Sequence, residues 1–238
     1  MFNPRPRIER VSLAPGRDAW VVDDILLDPE ALRRRAVAQR AQFAEAPFNA
    51  YPGLEWRMGP EVDVPLADFF LQHIRGRLGG RRTLSMYSRL SIVTKPPERL
   101  SPLQRLCHRD RLGTGPGEGV AACVLSLFDD ERLGGTGFYA PKKPIGEIDA
   151  LIRHWHTLGD LAFTAAIGAA PAYLTASNDW FELLGTVPAR FNRAVFYDGG
   201  QFHSSHITEP ELLSPDPARG RLTLNGFFVC RMTAGSAA

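Results

Sequence analysis

The segment Leu106-Cys107-His108-Arg109-Asp110 puts an imidazole and a carboxylate two residues apart. Residues two apart lie on one face of an extended chain, so at the end of a strand His108 and Asp110 can meet a single cation. Alone, a His-x-Asp is common by chance. A second imidazole follows about ninety residues later, in Ala194 to His206, where one strand turns at Gly199-Gly200 and another begins. Together His108, Asp110 and His203 supply the facial set of two imidazoles and one carboxylate. Such a set holds Fe(II) and leaves positions open for a bidentate cosubstrate and O₂. A structural zinc site would want four closed ligands and more thiolates, yet Cys107, Cys123 and Cys230 share no ligand-like spacing.

A dicarboxylate that chelates such a metal at one end needs a cation at the other, and arginine offers a fixed bidentate fork. Arg221 and Thr223 alternate onto one face of the strand Arg219 to Phe228, while Leu222 and Leu224 point into packing. Tyr87, Arg89 and Ser91 share a face of the strand that precedes His-x-Asp, as polar positions on one side of an ordinary strand would.

These residues must be positioned by a β-rich chain. Short runs at Thr83 to Thr94, Val120 to Phe128, Thr136 to Tyr139, Arg193 to Tyr197, His203 to Thr208 and Arg219 to Arg231 read as strands, separated by glycine and proline breaks. Ahead of them, Asp28-Pro29-Glu30 caps a helix expected over about 29–43. A second is expected from near Pro65, with Leu66, Phe69, Phe70, Ile74 and Leu78 at helical intervals, to Gly79-Gly80. A further helix at about Glu147 to Leu158, with Ile148, Leu151, Ile152 and Trp155 on one side, interrupts the strands. The expected fold is mainly β with flanking helices, a β-sandwich or jelly roll: one domain over 1–238, with helical support over about 1–80 and a β core over about 83–231.

Hydrophobic residues make up 44% and charged residues 23% of the 238, an ordinary globular composition. Twenty-eight Lys and Arg against 26 Asp and Glu leave a net charge of +2, without a basic stripe that would ask for nucleic acid. Arg33-Arg34-Arg35 reads as a solvated helix face. Three scattered cysteines form no disulfide framework, and neither a signal-length apolar stretch nor a span of ~20 apolar residues occurs, so a cytoplasmic protein without membrane partner is expected. The loop Gly113 to Gly119 lacks a following Gly-Lys-Ser/Thr and reads as a lid rather than a phosphate cradle. His73 reads as a core-edge residue, and His154 and His156 as surface or packing residues.

With these motifs the sequence resembles the iron(II)- and 2-oxoglutarate-dependent oxygenases, whose pattern is His-x-Asp, a distal His and an Arg-x-Ser/Thr. The resemblance covers about 83–231. Asp129-Asp130 and Gly134-Gly135-Thr136-Gly137-Phe138-Tyr139 are similar to the prolyl-hydroxylase-like branch, although Gly137 and the long interval from His203 to Arg221 depart from its pattern. It implies a double-stranded β-helix, the cupin-like jelly roll. It also implies iron on His108, Asp110 and His203, and the far carboxylate of 2-oxoglutarate on Arg221 and Thr223. Tyr87 and Ser91 match positions where relatives contact the cosubstrate. The implied reaction consumes O₂, decarboxylates 2-oxoglutarate to succinate and hydroxylates a small molecule or an amino-acid or peptide substrate, with ascorbate as reductant in vitro. Asp110 argues against a halogenase, in which a small residue replaces the carboxylate. His206 is the rival distal ligand: in a strand from Phe202, positions 203 and 206 face opposite sides, and His203 stands nearer the turn in a Phe-His-Ser context. Two alternatives stay open, a jelly-roll binding protein without turnover and a cupin-like metalloenzyme without cosubstrate.

Overall fold

The computed structural model describes residues 1–46, 51–110 and 114–233, the side chains of 155–158 excepted. Its strands are β1 (Ile8–Ala14), β2 (Arg17–Val22), β3 (Gly53–Arg57), β4 (Gly80–Val93), β5 (Glu118–Ser126), β6 (Gly135–Pro141), β7 (Phe181–Val187), β8 (Ala194–Asp198), β9 (Phe202–His206) and β10 (Arg221–Met232). They form a seven-stranded sheet, β1-β2-β8-β5-β10-β4-β3, facing a three-stranded sheet, β7-β6-β9, with antiparallel pairing throughout. This is the expected jelly roll.

Three helices flank the sheets: α1 (Pro29–Ala38), α2 (Pro60–Phe69) and α3 (Ile145–Ile167). The Asp28 side chain accepts from the Ala31 amide at 2.9 Å, the N-cap expected of Asp-Pro-Glu. α1 ends five residues before the expected boundary, because Ala44 exchanges backbone hydrogen bonds with Glu55 and the chain is claimed by the sheet edge. α2 starts earlier than expected. Pro60 takes the first helical position after Gly59, with Glu61 and Asp63 complementing the dipole, and Pro65 lies inside the helix. The chain then loosens into a π turn at Phe70–Ile74, tightens into a 3-10 turn at Arg75–Leu78, and stops at Gly79, whose φ of 73° is left-handed. α3 outlasts the expected helix and is broken by Gly159 at φ 72°, ψ 164°.

The first 80 residues are not purely helical support. The hairpin β1–β2, turned at Pro15-Gly16, and the edge strand β3 extend the large sheet, and β7 was likewise not anticipated. The apolar stripes of α1 and α2, Leu32, Ala36, Val62, Leu66 and Phe69, pack on the outer face of that sheet against Leu90, Ile92, Leu224 and Phe228. α3 covers the small sheet through Ile148, Leu151 and Phe163 against Tyr139, Phe181 and Phe202. With both outer faces covered, the inner faces of β4 and β10 are left to build a cavity. No helix among the described residues is long and apolar enough to cross a membrane.

Candidate metal and dicarboxylate site

His203 is the second residue of β9 and is 5% exposed. Its Nδ1 lies 2.9 Å from the Gln201 carbonyl, so the proton sits on Nδ1 and the Nε2 lone pair turns inward. His108 is in no strand, contrary to the sequence expectation. It follows the 3-10 turn Pro102–Arg105 and exchanges two backbone hydrogen bonds of 2.9 Å with His203, an isolated bridge that gives the segment strand-like geometry locally. The Asp110 amide donates to the Gly199 carbonyl at 2.7 Å and hangs the carboxylate over the β8–β9 turn. A Cβ on residue 199 would lie 3.0 Å from Asp110 Cβ, so glycine fits there.

The three donors converge. His108 Nε2 is 3.7 Å from Asp110 Oδ1, His203 Nε2 is 3.5 Å from Asp110 Oδ2, and one ligand atom from each residue lies within 4.8 Å of the others. Two donors each about 2.1 Å from one cation stand about 3.0–4.2 Å apart, so these separations are too long for hydrogen bonds and right for shared ligation. Asp110 Oδ2 is buried without a hydrogen-bond partner, a cost that a cation would remove. Burial raises the Asp110 pKa. It lowers both imidazoles to about 4, with the neighbouring His203 adding to the effect on His108, although half of the His108 side chain is open at the cavity mouth. Both rings are therefore neutral lone-pair donors near neutral pH. His206 is outside this cluster, as the strand alternation requires.

At the closed end of the same cavity stands Arg221, 3% exposed. Its Nε and Nη2 donate to the carbonyls of Gly134 and Gly135 at 3.2 and 2.9 Å. These glycines are needed where they are: a Cβ on 134 would meet the His206 carbonyl oxygen at 2.1 Å, and on 135 the Val187 oxygen at 2.0 Å. Among the described residues no carboxylate pairs with Arg221, and burial lowers its pKa. A buried guanidinium without an anion is costly, and an anionic ligand would offset that cost.

Thr223, Asn225, Thr136, Tyr51, Tyr197 and Arg89 line the cavity, whose volume is about 70 Å³. Thr223 is buried beside Tyr51, whose phenol burial raises to about 12. Arg89 pairs with Glu55 at 2.9 Å. Tyr87 and Ser91 do not line the cavity. The Ser91 hydroxyl accepts from Asn225 Nδ2 at 3.0 Å, and Tyr87 stacks on Phe227 at 4.9 Å. Continuing the Arg221, Thr223 alternation would have reached Asn225 and Phe227. Tyr51 lies outside any alternating run and carries no such signal. The Gly113 end of the expected lid lies outside the described residues, and its described part turns at Gly117 into β5. A larger cavity of about 170 Å³ beside α3 and residues 169–178 is lined by no Asp, Glu or His, and its Arg105 already binds Asp160 and the Leu100 carbonyl.

A family model matches residues 4–228. The chain belongs to DUF6445, a family of unknown function. No curated protein matches it. Its fold is similar to that of HygX from Streptomyces hygroscopicus, solved with nickel and 2-oxoglutarate bound, at 11% identity over 91% of this chain and 83% of that one, with a TM-score of 0.50. Other similar structures are a Pseudomonas putida prolyl-4-hydroxylase and SnoK. The first has 15% identity, covering 86% and 84% of the two chains, at TM-score 0.42. SnoK, an alpha-ketoglutarate-dependent carbocyclase from nogalamycin biosynthesis, has 12% identity, covering 94% and 85%, at TM-score 0.46.

Proposed function

We propose that this DUF6445 protein is an iron(II)- and 2-oxoglutarate-dependent oxygenase that hydroxylates a small-molecule or amino-acid-type substrate. The reading rests on one observation: a buried guanidinium without a carboxylate partner shares a cavity with a convergent His-Asp-His cluster. Charge supports it. Arg89 and Glu55 cancel, Arg221 and Asp110 cancel, and a divalent cation then leaves two positive charges, the complement of a dicarboxylate.

In this reading His108, Asp110 and His203 hold the metal. Bound iron would supply redox chemistry with O₂, in which 2-oxoglutarate is decarboxylated to succinate and CO₂ and a substrate C–H becomes C–OH. Gln201 fixes the His203 tautomer through its carbonyl, Arg221 grips the far carboxylate, and the Thr223 hydroxyl stands beside it as a further donor. Phe227 and Tyr197 wall the cavity and limit water.

The test combines two measurements on the full chain. Adding 2-oxoglutarate to the Fe(II) protein without oxygen should raise a weak visible charge-transfer absorption. Adding O₂ and ascorbate should release succinate in an amount that depends on iron and on His108. Folded protein shown to contain Fe(II) that gives neither the band nor succinate would remove the oxygenase reading.

A further inference from the structure

The inner face of the large sheet continues past the rim of the cavity. Phe227 lines the cavity, Tyr87 stands opposite it on β4 with ring centroids 4.9 Å apart, and the Arg57 guanidinium lies 4.3 Å over the Tyr87 ring. Arg89 covers Phe227 at 4.8 Å. Phe227 is buried at 8% exposure, and neither ring belongs to one of the larger apolar clusters, so the stack forms a small aromatic step between the cavity and Arg57.

Arg57 is more loosely paired than several other arginines of the chain. Arg89, Arg105, Arg109 and Arg193 each hold a carboxylate at 2.9 Å or closer. Among the described residues the one carboxylate paired with Arg57 is Asp63 at 3.8 Å, whose other oxygen accepts from the Ser88 hydroxyl, and 56% of the Arg57 side chain is exposed. Stacking on Tyr87 holds the guanidinium in one place and leaves its hydrogen-bonding edge available, which lowers the ordering cost of capturing an anion. Inside the cavity the charges close once metal and 2-oxoglutarate are bound. Arg57 then stands one ring beyond the cavity wall, over Tyr87 and next to Phe227, as a loosely balanced cation.

We propose that Arg57, held by Tyr87, is a specificity-determining residue that reads a carboxylate on the substrate. The substrate is thus a small organic acid, with its oxidised carbon reaching inward past Phe227. This rests on the oxygenase reading, which supplies the bound metal and 2-oxoglutarate and makes the captured molecule a substrate.

The probes are N-benzoylglycine and its neutral amide, followed by saturation-transfer NMR on the full chain with Ni(II) and 2-oxoglutarate present, so that the triad and Arg221 are occupied, and again without either. The acid should bind at least about tenfold tighter than the amide. Arg57→Gln should remove that preference and Arg57→Lys should restore part of it. Tyr87→Leu should weaken the acid more than the amide, because the guanidinium loses its support. Equal binding of acid and amide, no binding of either, or a preference untouched by Arg57→Gln would overturn the proposal. The cosubstrate absorption band is read separately. Its absence defeats the oxygenase reading whatever the probes do, while a normal band without an Arg57-dependent preference defeats this proposal alone.

Discussion

At the closed end of the cavity Arg221 leaves a twelve-residue strand paired on both sides, and two carbonyls from the opposite sheet hold its guanidinium. At the open end His108 and Asp110 leave a segment outside the sheets, tied by the hydrogen bonds exchanged with His203 and one to Gly199. The closed end is thus set by strand register. The open end is set by a few backbone contacts and by whatever its converging donors bind. A single cavity therefore combines a guanidinium fixed by strand register with a convergent His-Asp-His cluster, one of whose carboxylate oxygens has no hydrogen-bond partner.

The sharpest way to break this comparison is to remove one side chain at each end. Asp110→Ala should lower Fe(II) affinity by more than about 100-fold, since losing a ligand exceeds the 10–100-fold typical of losing its supporting partner. Arg221→Ala should keep the metal and weaken 2-oxoglutarate by roughly 100-fold, with Arg221→Lys recovering only part. Anaerobic titration of metal, then of cosubstrate, measures both. If Arg221→Ala costs metal affinity, or if His206→Ala rather than His203→Ala abolishes it, the division between the two ends is wrong.

Backbone substitutions sharpen the contrast with a smaller effect. In Gly135→Ala the new Cβ runs into the Val187 carbonyl at 2.0 Å, which must move together with the carbonyl that holds Arg221. A loss of about 1–3 kcal/mol is expected, a fall of roughly 2–10 °C in Tm, with cosubstrate weakened several-fold and metal retained. In Gly199→Ala the nearest atom is Asp110 Cβ at 3.0 Å, so a milder loss should fall on the metal instead. Calorimetry with the same two titrations decides whether each glycine serves its own end.

The sequence shows these two ends unequally. The convergence of His108, Asp110 and His203 on the cavity of Arg221 was legible because carboxylate, imidazole and guanidinium chemistry restricts the residue types; β alternation fixed the shared face of Arg221 and Thr223, whereas His108 and Asp110 lie outside the strands. The six strands read from Thr83 onward were legible for the same reason of period. β1 and β2, Ile-Glu-Arg-Val-Ser-Leu-Ala and Arg-Asp-Ala-Trp-Val-Val, lack a clean two-residue period, and their pairing as a hairpin sets them as strands. β7, Phe-Glu-Leu-Leu-Gly-Thr-Val, mixes residues without a clean period and is a strand because it pairs with β6. Tyr87 and Ser91 share the site face of β4, yet their places depend on partners across the sheet. Ser91 meets Asn225 and Tyr87 meets Phe227, pairings created by a register that no local pattern states.

The smallest expected effect lies behind the closed end. Arg193 lines a small void together with Arg221 and Gly135, and Asp23 holds it through hydrogen bonds of 2.6 and 2.9 Å. That contact, chiefly the hydrogen bond from Arg193, holds the Asp23 carboxyl below its ordinary pKa, against a smaller opposing effect of burial. A folded pKa below the unfolded one means that the contribution is complete above the ordinary value of 3.8 and is lost as pH falls through the folded value. Asp23 is about one-third exposed, so solvent screens the pair and Asp23→Asn should cost less than about 1 kcal/mol near neutral pH. The variant should be less acid-sensitive below pH ~4 than the wild type, and the difference between them should shrink in 1 M salt. Denaturant midpoints across pH and salt measure this. Cosubstrate affinity should shift by no more than about twofold if Arg221 depends on the Gly134 and Gly135 carbonyls rather than on Arg193, since those carbonyls stay in place. A large cosubstrate loss in Asp23→Asn would show that the rigid end extends through Arg193 to the hairpin, and any change in Fe(II) affinity would show that the two ends are coupled.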